Sequence, residues 1–188
     1  MRLPVPCKKL QDNLDISALR EAVVNLTEEE WNKNQFRQER FEVARDVESI
    51  LFKMNGNDLL VGDNASKTEV WEDAWNKWKH LVEPVIKQAI AGYDGYERAF
   101  VNKCLIARLR PNMEIEKHID VGFSFSCSHR IHVPLLTNPD VEFIVKGERC
   151  IMDEGNAYEI SNKEEHSVVN KGLTPRVHLL FDIYIPKE

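Results

Sequence analysis

The chain has 188 residues and a formal net charge of −6, and this length suits one domain with a buried core. The negative charge argues against a nucleic-acid partner, and no apolar run is long enough to span a membrane. The start of the chain has no apolar signal-peptide core, so we expect a cytoplasmic protein with no membrane contact. The four scattered cysteines form no C-x-x-C pair, which argues against a zinc knuckle.

The first half of the chain carries mainly helical patterns. A helix is predicted over residues 15–33, with Thr27 and the three glutamates after it as a capping signal. The polar run Thr27–Arg40 is interpreted as a solvated helical face. A strand is predicted over at least Ser49–Phe52, and the later "NGNDLLVGDNAS" has the composition of a loop.

The clearest helix is predicted over residues 66–91. Pro84 favours a kink in it, and Gly92 is a plausible stop. Apolar residues recur along it at helical spacing, which favours a core stripe over a ligand platform. The stripe is formed by Trp71, Trp75, Trp78, Leu81, Val82, Val85 and Ile86.

After Gly92 the pattern changes to short segments of strand-like composition separated by turn residues. About eight such segments at this spacing predict an antiparallel sandwich or barrel. They are "FVNKCLIARLR", "EIEKHIDVG", "HRIHVPLL", "VEFIVKG", "RCIMDEG", "NAYEIS", "EHSVVN" and "RVHLLFDIYI". We therefore expect one domain over residues 1–188, with a helix-rich part at 1–92 covering one outer face of a β-barrel core at 93–188.

Two histidines and an aspartate have the spacing of a metal site. His118 and Asp120 are two positions apart, so both side chains point to the same face of a strand. His166 lies 48 positions after His118, a distance that lets the chain return through several strands to the same cavity. Two imidazoles and one carboxylate form the facial triad of non-heme Fe(II) oxygenases, and although zinc also accepts such ligands, the open positions favour iron.

An iron oxygenase of this type commonly uses 2-oxoglutarate, whose distal carboxylate needs a cation. Arg176 follows His166 on the next predicted strand, and its guanidinium can bind a carboxylate through two hydrogen bonds. Arg130 and His132 share one face of their own strand and are predicted to supply further donors.

These blocks resemble one family. "H-I-D" (residues 118–120), "R-I-H-V-P-L" (130–135), the segment from Gly155 to "H-S-V-V-N" (166–170) and "R-V-H-L-L-F-D-I-Y-I-P" (176–186) are similar to the aspartyl/asparaginyl β-hydroxylase family of Fe(II)- and 2-oxoglutarate-dependent oxygenases. "ARDVESILF" (44–52) is similar to the strand that precedes this core in the family.

The resemblance implies a double-stranded β-helix, a cupin-like jelly-roll barrel. It implies that His118, Asp120 and His166 bind iron and that Arg176 pairs with the distal carboxylate of 2-oxoglutarate. Arg130 and His132 would lie near the co-substrate. The family favours an Asp or Asn residue in a peptide as substrate, whereas the short chain favours a free amino acid or small metabolite.

Two alternatives remain open from the residues alone. One is a cupin-like isomerase or hydrolase that uses zinc or manganese, but it leaves Arg176 and Arg130 unexplained. The other is a non-catalytic small-molecule sensor on the same barrel. The segment Phe123–Ser128 is predicted to be either a substrate lid or a plain connection, and Asn170 is expected to hold a turn or a bond behind the site.

Overall fold

The structure is a computed structural model that describes residues 3–54, 72–121 and 127–186. Ten strands lie in these ranges. They are β1 (Cys7–Gln11), β2 (Val47–Met54), β3 (Phe100–Leu109), β4 (Glu114–His118), β5 (His129–Leu136), β6 (Val141–Val145), β7 (Glu148–Arg149), β8 (Ala157–Ile160), β9 (His166–Asn170) and β10 (Arg176–Tyr184).

The strands form two antiparallel sheets that pack face to face. The large sheet has the order β1-β8-β5-β10-β3-β2, and the small sheet has the order β4-β9-β6-β7. Leu105 and Leu109 of the large sheet and Phe143 and Val168 of the small sheet belong to one buried apolar cluster between them. The antiparallel two-layer architecture predicted from the strand pattern is confirmed.

Three helices of the described ranges cover the other face of the large sheet, namely α1 (Ser17–Val24), α2 (Glu28–Asn32) and α4 (Asp73–Ile90). The short helix α3 (Phe36–Arg40) instead borders the space between the two sheets. Trp78, Val82 and Ile86 of α4 belong to a second core cluster with the outer face of that sheet, where Phe52 lies 6.1 Å from Trp78 between ring centroids. The tryptophan stripe is therefore part of the core, as predicted, although Trp71 and the predicted start at residue 66 lie outside the described residues.

The prediction of one continuous helix over residues 15–33 is wrong, because the structure has two helices there. The chain leaves α1 after Val24 and begins α2 at Glu28. Thr27 and Glu30 form a complete capping box, in which each side chain accepts a hydrogen bond from the other residue's backbone N–H. A capping box marks the start of a helix. Thr27 therefore begins a second helix at the point where the sequence pattern predicted one continuous helix.

Two further differences concern strands. β1 was not predicted, and it pairs with β8 at the edge of the large sheet. The segment "RCIMDEG" contributes only Arg149 to a strand; the residues after it have no regular structure, and the chain turns at Gly155, which has a φ of 74°. β2 agrees with the prediction of a strand over at least Ser49–Phe52 and extends it to eight residues. The N-terminal part is thus less purely helical than expected, since it supplies both edge strands of the large sheet.

Alternation along β10 positions the site. Val177, Leu179 and Phe181 pack against the helices in the outer core cluster. Arg176 and Asp182 lie on the opposite face of the same strand. They line the space between the sheets, and both are almost completely buried. No helix in the described ranges is both long enough and apolar enough to cross a membrane.

Candidate active site

His118, Asp120 and His166 come together at one end of the small sheet. His118 is the last residue of β4 and lies opposite His166, the first residue of β9, with ring centroids 4.3 Å apart. Asp120 lies just beyond β4, and its Oδ2 is 3.6 Å from Nε2 of His166. One ligand atom from each residue lies within 4.8 Å of the other two. The structure therefore brings the three residues into one group that can hold a divalent metal ion.

Both imidazoles are oriented by backbone carbonyls. Nδ1 of His118 is 2.7 Å from the carbonyl oxygen of Glu116, and Nδ1 of His166 is 3.0 Å from that of Glu164. A carbonyl oxygen can only accept a hydrogen bond, so Nδ1 carries the proton in each neutral ring. The lone pair is left on Nε2, the tautomer that a metal-binding histidine needs.

Arg130 ties the third residue of this group to the large sheet. Its Nε and Nη2 each donate to Asp182 at 2.8 Å, and its Nη1 donates to Asp120. Burial alone would raise the pKa of Asp120, but the charge of Arg130 outweighs it, and the pKa lies below its usual value. Arg130 thus keeps a carboxylate charged in a nearly dry site. The guanidinium that the sequence placed near the co-substrate is engaged by these two acids.

Arg176 lies in a different environment, without an acidic neighbour. Only 2% of the residue is exposed, and no described carboxylate is within ion-pair distance. Its Nη2 donates to Nδ1 of His178 at 2.8 Å, its Cζ lies 5.6 Å from the Phe143 ring centroid, and its Nε has no hydrogen-bond partner. Desolvation lowers the pKa of Arg176 to about 9. A buried cation of this kind is stabilised by a bound anion.

The two histidines beside Arg176 are neutral donors and acceptors. His132 and His178 lie on neighbouring strands, with their Nδ1 atoms 3.4 Å apart. Burial, reinforced by the nearby Arg176, holds both pKa values well below the usual value. Nε2 of each ring is buried without a hydrogen-bond partner. These two atoms and Nε of Arg176 are three buried nitrogens that have no hydrogen-bond partner in the described part of the chain, and they surround one buried positive charge.

The metal group and Arg176 share one cavity. It has a volume of about 830 Å³ and lies between the sheets, with His132, Arg176 and the three candidate ligands in its wall. This volume is at the upper end of the usual range for small-molecule sites, enough for more than one small ligand. Of the segment Phe123–Ser128, predicted to be either a lid or a plain connection, residues 123–126 lie outside the described residues.

Two cavity residues were missed in the sequence. Asp182 is six positions after Arg176 on β10, so strand alternation alone places it on the same face. Arg37 lines the cavity from α3. Its sequence context, a polar run, gives no sign that it faces inward.

Asn170 lies behind the site as a fully enclosed hydrogen-bonding hub. Its Nδ2 donates to the backbone carbonyls of Leu109, Arg110 and Thr174 at 2.9–3.2 Å. Its Oδ1 accepts from the side chain of Asn138 and the backbone of Gly172. The residue thus fixes the turn between β9 and β10, the strands that carry His166 and Arg176.

Solved structures share the fold over almost the whole chain. Collagen prolyl hydroxylase of Paramecium bursaria Chlorella virus 1, in complex with 2OG, is 12% identical over 98% of each chain, with a TM-score of 0.51. A nickel complex of a non-heme monooxygenase is 12% identical over 97% of this chain and 74% of that chain, with a TM-score of 0.53. These matches confirm the predicted jelly-roll fold.

One further solved structure and two sequence comparisons were also informative. A 2OG-Fe(II) oxygenase family oxidoreductase from Burkholderia pseudomallei is 18% identical over 73% of this chain and 66% of that chain, with a TM-score of 0.47. No curated protein is significantly similar to the chain in sequence. The family model for aspartyl/asparaginyl β-hydroxylase matches residues 84–186, which include all six predicted site residues. Because this match spans more than half of the sequence, the chain belongs to the aspartyl/asparaginyl β-hydroxylase family.

Proposed function

We propose that the protein is an Fe(II)- and 2-oxoglutarate-dependent dioxygenase that hydroxylates an amino-acid side chain. The observation that carries this proposal is one cavity that holds both a two-histidine, one-carboxylate group and a buried arginine that has no acidic partner among the described residues. The 2OG complex of the structurally similar viral prolyl hydroxylase supports the choice of co-substrate. We further propose that residues 1–188 act as one domain around this cavity.

The donor set fits Fe(II). His118 and His166 offer neutral Nε2 atoms, and Asp120 offers a charged oxygen whose pKa is held down by Arg130. Two nitrogens and one carboxylate on one side of an ion leave three positions open, as in non-heme iron oxygenases. When bound, the iron and 2-oxoglutarate supply oxygen activation, in which O₂ is consumed, the co-substrate becomes succinate and CO₂, and the substrate gains a hydroxyl group.

The protein's own residues position these groups. Arg176 would bind the distal carboxylate of 2-oxoglutarate, while His132 and His178 offer polar atoms beside it. Arg130 holds Asp120 in place through its bonds to Asp182. The apolar side chains of the inter-sheet cluster keep bulk water away from this charged centre, which strengthens each electrostatic contact.

Our leading substrate is an Asp or Asn residue in a peptide, and the second is a free amino acid. The family supports the first, since its name describes aspartyl and asparaginyl hydroxylation. A zinc or manganese isomerase or hydrolase would use the same ligands but would leave Arg176 without a partner. A non-catalytic sensor would explain the cavity but requires no charged, metal-competent Asp120.

The proposal is tested by succinate formation from 2-oxoglutarate with Fe(II), ascorbate and O₂, followed by NMR. Mass spectrometry would detect a gain of one oxygen on Asp- and Asn-containing peptides and on free amino acids. His166→Ala should abolish both signals, whereas His80→Ala, an exposed histidine on α4, should leave them unchanged. Turnover confined to free amino acids would refute the peptide substrate and keep the oxygenase. Absence of both succinate and 2-oxoglutarate binding would overturn the proposal.

A further inference from the structure

Arg37 has a buried guanidinium that the oxygenase reaction described above does not use. The residue lies on α3, which contacts β2 and the turn Glu42–Ala44, and that turn in turn contacts the metal-ligand strand β4. Arg37 lines the same cavity as the metal group. Although the residue as a whole is half-buried, its Nη1 is shielded from solvent and has no hydrogen-bond partner.

The surroundings of Arg37 place its charge within reach of the metal centre. Its pKa is lowered to about 10, mainly by desolvation and in part by repulsion from Arg130, while Asp120 and Asp182 act in the opposite direction. Neither carboxylate forms an ion pair with Arg37, since both are bonded to Arg130. The guanidinium thus faces the catalytic end of the cavity without a partner of its own among the described residues.

A packing role does not account for this placement. A surface arginine normally keeps its charged end in water, and burying part of it without a partner is unfavourable, so the cost must be offset elsewhere. Arg40, on the same helix, stacks 5.8 and 5.9 Å from the ring centroids of Phe36 and Phe41, but Arg37 has no such contact with a ring in the described part of the chain. An anion that enters the cavity would remove the cost.

The charges of the cavity remain positive after the metal and co-substrate are counted. Among the described residues, five cationic and three acidic side chains line it, namely Arg37, Arg40, Lys103, Arg130 and Arg176 against Glu72, Asp120 and Asp182. A divalent metal ion and the 2-oxoglutarate dianion cancel each other. With Arg130 held by two acids and Arg176 assigned to the co-substrate, Arg37, Arg40 and Lys103 remain. Of these we assign the third ligand to Arg37, because its Nη1 is buried without a hydrogen-bond partner among the described residues.

We propose that Arg37 binds a carboxylate of the primary substrate and makes the enzyme selective for acids. This inference rests on the proposed function, because it assumes that Arg176 serves the co-substrate. A guanidinium binds a carboxylate through two parallel hydrogen bonds, which also fixes the orientation of the substrate beside the metal. The carboxylate belongs either to the side chain of an aspartyl residue or to the α-carboxyl group of a free amino acid. An asparaginyl residue inside a peptide offers neither.

Binding of three probes distinguishes these sources. N-acetyl-L-aspartate α-amide has only a side-chain carboxylate, L-asparagine has only an α-carboxylate, and N-acetyl-L-asparagine α-amide has none. Each would be titrated by calorimetry into the protein loaded with Fe(II) and 2-oxoglutarate without oxygen. We expect at least one carboxylate probe to bind the parent protein, and Arg37→Gln to weaken it by roughly tenfold or more, the effect of losing a charge-assisted hydrogen bond.

Variants of Arg37 and a nearby arginine provide the controls. Arg37→Lys keeps the charge and should lose less affinity than Arg37→Gln. Arg45→Gln removes an exposed arginine close in the chain and should leave all three titrations unchanged. The affinity for 2-oxoglutarate should stay within about twofold in every one of these variants, since Arg176 provides its anchor. A thermal melt verifies that each variant is folded.

Several outcomes would overturn the inference. They are an uncharged probe that binds as tightly as the carboxylates, carboxylate binding unchanged in Arg37→Gln, or a parent protein that binds no carboxylate probe. A loss of 2-oxoglutarate affinity in Arg37→Gln would also overturn it, because Arg37 would then serve the co-substrate. If the parent protein fails to bind 2-oxoglutarate, the proposed function fails instead, and titrations with Fe(II) alone still decide the role of Arg37.

Discussion

Replacement of Arg176 by methionine should separate co-substrate binding from stability. Methionine approximates the length of the arginine stem and adapts to irregular space, but it has no charge and no donors. In the ligand-free protein Arg176 is a buried cation that donates a hydrogen bond to a neutral histidine, His178, and pairs with no acidic side chain among the described residues. Its removal should therefore abolish the anion site while relieving the fold of an unpaired charge.

The contacts of Arg176 determine the expected change in 2-oxoglutarate affinity and in the free energy of unfolding. Loss of two charge-assisted hydrogen bonds, at about 1.5–3 kcal/mol each, should weaken 2-oxoglutarate binding by at least about 100-fold. Exchange of the buried charge for an apolar side chain should leave the free energy of unfolding unchanged or raise it by about 1–2 kcal/mol. Arg176→Lys, which keeps the charge and loses the fork, should weaken binding less, by about tenfold.

The assay combines two measurements on the same samples. Calorimetry without oxygen gives the dissociation constant of 2-oxoglutarate in the presence of Fe(II), and urea denaturation gives the free energy of unfolding without ligand. Metal affinity serves as the control, because Arg176 contacts none of the three candidate ligands. A dissociation constant within twofold of the parent value would refute the anchor. A loss of stability above about 2 kcal/mol would show that Arg176 is mainly a structural residue.

Four further results are expected. His166→Ala should weaken Fe(II) binding by more than about 100-fold, measured by anaerobic calorimetry. Asn170→Ala should lower the free energy of unfolding by about 2–3 kcal/mol, since it strands several buried backbone groups. Arg108→Ala should cost a similar amount, about 2–3 kcal/mol, because it breaks the buried ion pair with Glu48 while Arg110 still pairs with that carboxylate. Burial raises the pKa of Glu48, but hydrogen bonds from the two arginines outweigh it and place the pKa below the usual 4.5. The stability that Glu48 contributes is therefore complete above that value and is lost as pH falls through the lowered pKa, so Glu48→Gln should flatten the acid limb of a stability-against-pH curve.

Exposed residues provide matched controls, and three contrary outcomes would contradict the predictions. His80→Ala and Arg45→Ala, both at exposed positions, should behave like the parent protein. Unchanged metal affinity in His166→Ala would exclude it as a ligand. A change below about 0.5 kcal/mol in Asn170→Ala would mean that water replaces its bonds. An unaltered acid limb in Glu48→Gln would assign acid unfolding to other carboxylates.

The barrel was predictable because most of its strands have strand-like composition and lie between turn residues. All eight segments proposed after Gly92 contain or touch a strand of the structure. β1 escaped prediction because "CKKLQ" at an edge has little alternation, and its half-exposed positions give no apolar signal. The helix over residues 15–33 was overextended because the apolar period continues across residues 25–27, while only the capping box reports the break.

The site, like the fold, was predictable from the sequence only in part. Spacing along strands sufficed to select His118, Asp120, His166 and Arg176, since alternation ties sequence position to a face. The partners of Arg130 depend on pairing between β5 and β10, which places Arg130 opposite Asp182, and a single sequence does not reveal register between distant strands. Arg37 was interpreted as part of a solvated face, because the polarity of a short helix does not tell where the helix packs.

The carbonyl groups that orient the two imidazoles belong to the peptide backbone and not to side chains. Each lies two residues before its histidine, at Glu116 and Glu164. The identity of these two residues is therefore free to change without altering which ring nitrogen faces the metal, provided the strand path is kept. Sequence drift next to the ligands is tolerated here, whereas an insertion or deletion of one residue before either histidine would remove the acceptor and misdirect the ring.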